Sequence, residues 1–116
     1  MKLVICEKPS VAKAVASALG VTSRADGCFE GNGLIVSWCM GHLVSPMDAA
    51  GYDPGYKKWK YDDLPILPEP FRYVLAKDKE DAFQNLKRLM DREDVTELVN
   101  ACDAGREGEL IFRLVY

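Results

Sequence analysis

Carboxylates crowd two short bends of this chain. One bend is Asp103-Ala104-Gly105-Arg106-Glu107-Gly108-Glu109, and the other is Glu7-Lys8-Pro9-Ser10. Two carboxylates ~4 Å apart repel by about 4 kcal/mol at an effective dielectric near 20. A group of them therefore persists only if protonated, paired with a base or neutralised by a cation. Oxygen donors without Cys or His select a hard, magnesium-like ion. Three acids and Arg106 at one bend are suited to metal-assisted phosphate chemistry, which makes Arg106 a candidate catalytic residue. The plainer alternative is that Glu107 and Glu109 are first-turn helix acids and that Arg106 pairs with one of them.

Each bend lies between a short apolar run and a helical pattern. Lys2 to Cys6 reads as a mostly buried strand, followed by Val11, Ala14, Val15, Ala18 and Leu19 at helical spacing. Ser10 is the expected N-cap and Gly20 the expected stop. Val95 to Cys102 is a second such strand, and Leu110, Ile111, Leu114 and Val115 resume at helical spacing beyond the acids. Two strand–acid–helix units in one parallel sheet bring Glu7, Asp103 and Glu107 to a single carboxyl edge, where open α/β sheets keep their ligand sites. The expected fold is α/β, with both units in one parallel sheet.

Between these units, Cys28-Phe29-Glu30 and Leu34 to Cys39 flank Gly31-Asn32-Gly33, a hairpin signal. His42 follows as either a phosphate or base contact or a polar residue ending a strand. Five prolines between Pro46 and Pro70 forbid long helices or central strands there. Tyr52, Tyr56, Trp59 and Tyr61, interleaved with Lys57, Lys58 and Lys60, are a pattern that stacks on single-stranded nucleic acid. The favoured reading is instead that the rings pin a long loop to the sheet by burying apolar area. Phe71 to Ala76 is a further strand. Asp78 to Met90 is an amphipathic helix with Ala82, Phe83, Leu86, Leu89 and Met90 inward.

A length of 116 residues with 48% hydrophobic residues implies one domain with a real core. The net charge of -3 excludes a generally basic nucleic-acid module, so any hold on phosphate must be local. Cys6, Cys28, Cys39 and Cys102 have no metal-ligand spacing and read as reduced thiols, consistent with a cytoplasmic protein. The apolar start is too short for a signal segment or a membrane span.

Taken together, Glu7-Lys8-Pro9-Ser10, Gly41-His42-Leu43, the run Trp59…Asp63-Leu64-Pro65…Pro68 and Asp103 to Glu109 resemble the N-terminal Toprim domain of type IA DNA topoisomerases, topoisomerase III branch. The resemblance covers residues 1–116 as one Toprim domain of a longer topoisomerase and implies a Rossmann-like α/β fold, with a mainly parallel sheet and helices on both faces. It implies Mg²⁺ held by Glu7, Asp103 and Glu107, with Lys8 near the scissile phosphate. It also implies single-stranded DNA as partner, with the remaining topoisomerase domains in cis. Such enzymes cut one strand through a tyrosyl phosphate and reseal it. Their nucleophilic tyrosine lies in a separate domain, so this chain alone is expected to be inactive. The sequence departs from the family's Asp-x-Asp at Gly105, where one expected ligand is missing. A Toprim domain of a primase or metal-dependent nuclease, and a non-catalytic docking module, are the competing readings.

Overall fold

The computed structural model describes residues 1–116 and places two apolar cores on opposite faces of one five-stranded sheet. Its strands are β1 (Lys2–Cys6), β2 (Arg24–Ala25), β3 (Cys28–Gly31), β4 (Leu34–Trp38) and β7 (Glu97–Ala101), in the order β2-β3-β4-β1-β7. β1 runs parallel to both β4 and β7, whereas β2, β3 and β4 are joined antiparallel. The sheet is mixed, with a parallel centre that carries the two acidic bends.

The period-two alternation of the strands sorts their residues between the cores. Leu3, Ile5 and Ile35 join Leu86, Leu89, Ile111, Phe112 and Val115 under α3 (Glu80–Met90) and α4 (Arg106–Val115). Val4, Cys6 and Val36 face Ala12 and Ala16 of α1 (Pro9–Ala18). Helices therefore cover both faces, as the α/β reading requires. Between β3 and β4 the chain reverses over Asn32 and Gly33, with φ 53° and 76°, the backbone of a type I′ hairpin.

Two local expectations are corrected. Ser10 is not the N-cap of α1: that position is Lys8, without a side-chain cap, and Pro9 takes the first helical position. Proline's fixed φ suits that position, and its missing N–H costs nothing there. The strand expected over Phe71 to Ala76 shortens to β6 (Tyr73–Leu75), which pairs only with β5 (Val44–Pro46) in a separate two-stranded ribbon.

Between these two strands lie the short helix α2 (Ala49–Tyr52) and 3-10 turns at Pro54–Lys57 and Tyr61–Asp63. This segment forms an arm. The radius of gyration is 17.4 Å, against roughly 13 Å for a compact chain of this length. The expectation that its rings anchor the segment holds only at its base, where Tyr52 and Tyr56 are half-buried. Trp59 and Tyr61 are 82% and 91% exposed. The prolines prevent the arm from forming an element that could lay these rings against the sheet.

Arg92 ties the edge of the sheet together, with contacts of 2.9 Å to Glu30 on β3 and 2.7 Å to Asp94 ahead of β7. Its guanidinium holds both carboxyls below their usual range, chiefly through these hydrogen bonds. A depressed folded-state value means stability that is complete above the unfolded carboxylate range and is lost as pH falls through the folded values. Denaturation midpoints measured below pH 4.5 should fall less steeply in Glu30→Gln than in the native chain. Parallel curves for the two proteins would remove Glu30 from the acid transition.

Candidate metal and phosphate site at the carboxyl edge

The site is assembled by register. Cys6 at the end of β1 lies level with Trp38 of β4 and Ala101 of β7, so all three strands release their chains at one edge. Two backbone bonds extend the alignment past the strands. Cys39 N–H donates to the Cys6 carbonyl at 2.8 Å, and Gly41 N–H donates to the Glu7 carbonyl at 3.1 Å. This brings His42 beside the residues that follow β1. The Lys79 ammonium donates to the His42 carbonyl at 3.1 Å and steadies the same turn.

Glu7 and Asp103, distant in sequence, meet here. Asp103 lies within hydrogen-bonding reach of Glu7, and this contact is the main cause of a raised Glu7 pKa. Desolvation and the charges of Asp103 and Glu107 push the same way, while Lys8 opposes them. Glu7 Oε2 is enclosed and has no hydrogen-bond partner. An enclosed acceptor beside a second carboxylate lacks a donor unless a proton or a cation supplies the positive charge.

The remaining acids are turned elsewhere. Glu107 reaches His42 Nε2 at 3.3 Å. Glu109 accepts from Asn100 Nδ2 at 2.8 Å and from Arg113 Nε at 2.7 Å, one helical turn on. No three His, Cys, Asp or Glu side chains cluster closely enough to enclose a metal by themselves. The donor set nevertheless suits Mg²⁺, which usually takes one or two protein carboxylates and completes its shell with water or phosphate oxygens. Lys8 and Arg106 make no ion pair, so Arg106 is not the helix-acid partner that the plainer reading required. Both cations are exposed beside the acids. The N-termini of α1 and α4 open at the same edge, where their dipoles favour an anion.

Two residues that shape the site carried no role in the sequence reading. Gly108 lies so close to the Asp103 turn that a Cβ on it would stand 2.1 Å from the Asp103 carbonyl oxygen. The glycine in the motif is the available signal, but only the packed turn gives the reason. Asn100 both positions Glu109 and accepts from the Cys102 N–H at 3.1 Å, closing the strand end before the acids begin. The thiols beneath the site are inert: burial pushes Cys6 and Cys102 to about 11 and Cys39 to about 12.

Comparison with known proteins agrees with this geometry. Residues 2–116 match the Toprim domain family. The chain is 45% identical over 114 residues to DNA topoisomerase 3 of Shouchella clausii, covering 98% of this chain and 16% of that protein. It is 43% identical to DNA topoisomerase 3 of Bacillus licheniformis and 44% identical to that of Bacillus anthracis. Each of these two matches covers 113 residues, 97% of this chain and 16% of the relative. The chain thus spans about one-sixth of the length of these relatives, and the topoisomerase III resemblance read from its motifs is met by them. With an acid-bearing parallel sheet edge between helices on both faces, and a family match over nearly its full length, the chain belongs to the Toprim domain family.

Proposed function

We propose that this domain supplies the Mg²⁺-dependent acidic half of a topoisomerase III-like active site, for cutting and resealing one DNA strand in the cytoplasm. The observation that carries the reading is the meeting of Glu7 and Asp103 beside an enclosed, partnerless carboxylate oxygen. Glu7 and Asp103 would hold Mg²⁺, with Glu107 joining them on release from His42. The ion supplies neutralising charge on the transferring phosphoryl group. Lys8 and Arg106 meet the phosphate oxygens, and their two cations fix the strand for resealing. When it is not bound to the ion, Glu7 can instead pass a proton to and from the 3′-oxygen. The nucleophilic tyrosine belongs to another domain of the longer protein, so the chain alone leaves supercoiled DNA unrelaxed and forms no covalent adduct. Tyr116 lies at the end of α4, outside the acidic edge.

A primase- or nuclease-type Toprim function is less well supported, because the named relatives are topoisomerases over essentially the whole chain. A purely docking role gives no reason to bring like charges together.

Magnesium titration by calorimetry tests the reading on three proteins. The native chain should bind weakly, and Asp103→Asn should lose that binding. Gly105→Asp should bind about tenfold more tightly, since it restores the second acid of Asp-x-Asp. The backbone permits the change: Gly105 has φ −166°, and nothing lies within 4 Å of a Cβ there. Gly105 is also the N-cap of α4, where Asp favours bonding to the helix's own N–H groups. Unchanged affinity in Gly105→Asp would show that the new carboxylate caps the helix instead of meeting the ion. Full binding by Asp103→Asn would remove the acidic edge as the metal site.

A further inference from the structure

The arm between β5 and β6 has an apolar surface and no interior. No residue from Ser45 to Leu75 is buried. Yet seven of the eleven large apolar side chains exposed in the whole chain lie between Trp59 and Val74, which singles out this arm. Leu67 and Phe71 are 73% and 65% exposed, beside the still freer Trp59 and Tyr61. Tyr56 joins two shallow clefts, one lined by Trp59 and Ala50, the other by Leu67 and Ile66. Trp59, Tyr61, Phe71 and Tyr73 alone leave on the order of 500 Å² in water, at ~150–250 Å² per aromatic side chain. Apolar surface on that scale marks an interaction site. A two-stranded ribbon is also marginal by itself. This one is tied to the body at its base, where Val44 enters the larger core and Ala76 N–H donates to the Leu43 carbonyl at 2.9 Å.

We infer that this arm is a docking surface for another domain of the same longer polypeptide, with Trp59, Leu67 and Phe71 as its anchors. The occupant presents an apolar face with a rim of both charge signs. The arm's own charges select a protein: Asp48, Asp53, Asp62, Asp63 and Glu69 stand against Lys57, Lys58, Lys60 and Arg72. A phosphate chain would meet as much repulsion as attraction there, whereas a polar protein rim pairs with both signs. The length of the relatives selects a partner in cis. The chain matches 16% of DNA topoisomerase 3 of Shouchella clausii, so about five-sixths of that protein lies beyond the matched domain. A tethered domain is present at roughly millimolar effective concentration, far above that of a second copy. Pro54, Pro65, Pro68 and Pro70 fix φ along the arm, which lowers the entropy lost when it is immobilised. The arm leaves the sheet directly after His42 and Leu43, so the seated domain stands beside the carboxyl edge. The inference rests on the family match and is independent of the metal reading.

The test is hydroxyl-radical footprinting, read by mass spectrometry, of the longer protein and of the 116-residue chain, both without DNA. In the longer protein Trp59, Tyr61 and Phe71 should be modified roughly fivefold more slowly than in the 116-residue chain, because docked anchors lose their contact with water. That protection should survive dilution, as an intramolecular contact does. Trp59→Ala combined with Leu67→Ala should return Tyr61 and Phe71 of the longer protein to the rate of the 116-residue chain. In the 116-residue chain the same double variant should keep the native melting temperature, because both side chains are exposed there. Equal rates in the two proteins, or undiminished protection in the double variant, would overturn the assignment. Protection that fades on dilution would give the arm to a second copy instead, and protection that requires an added oligonucleotide would give it to nucleic acid.

Discussion

Gly108→Ala should distort the site and destabilise the domain. The added methyl would lie 2.1 Å from the Asp103 carbonyl oxygen and 2.9 Å from the Asp103 carbonyl carbon and amide nitrogen. All three are backbone atoms, so no rotamer change can relieve the contact. Either α4 shifts away from the sheet, or the turn that carries Asp103 distorts. Both outcomes strip packing from Ile111, Phe112 and Val115, which α4 contributes to the larger core. Overpacking of this kind typically costs about 1–3 kcal/mol, and a backbone-to-backbone clash belongs at the upper end. A melting temperature lower by on the order of 10 °C is expected. Gly105→Asp is the contrasting change in the same bend: it has space, extended backbone and a favoured cap position, and should hold or raise the melting temperature. Equal stability of Gly108→Ala and the native chain would mean that the helix does not seat against Asp103 as described.

The second large effect is expected from Glu7→Gln in the longer, tyrosine-bearing enzyme. Glutamine keeps the shape but can neither carry a proton nor complete the charge around Mg²⁺. Removing a positioned acid–base group typically costs 10²–10⁴-fold in rate. The two parts of that loss are separable. If Glu7 acts mainly as a metal ligand, a large excess of Mg²⁺ restores resealing. If it acts mainly as the proton carrier, the metal does not help and the pH profile changes instead. In the metal-free native chain Glu7 should titrate above the ordinary glutamate range, because Asp103, desolvation and Glu107 all raise its pKa. That titration should be absent in Glu7→Gln. Native resealing rates and an unaltered pH profile in the variant would exclude Glu7 from both roles.

Much of this site was legible in the residues, for a physical reason. Buried parallel strands are near-continuous apolar runs, so Lys2 to Cys6 announces itself; Val95 to Cys102 is legible from its apolar residues although the edge strand β7 is only half-buried, and the charged bend after each marks the carboxyl edge. Asn32-Gly33 similarly declares its turn, because few other pairs tolerate positive φ at both positions. These are local preferences, readable within a few residues. Only tertiary structure decided the rest. Register set Glu7 against Asp103 and brought His42, from the end of β4, to Glu107 rather than leaving it as a strand-end residue. Spacing along the chain also could not show that Glu109 would be taken by Asn100 and Arg113, or that Gly108 would have to meet a carbonyl. The aromatic arm went against expectation for the same reason. Composition says that rings can bury area, but whether a surface lies within their reach depends on the path of the backbone, and the prolines carry Trp59 and Tyr61 away from the sheet.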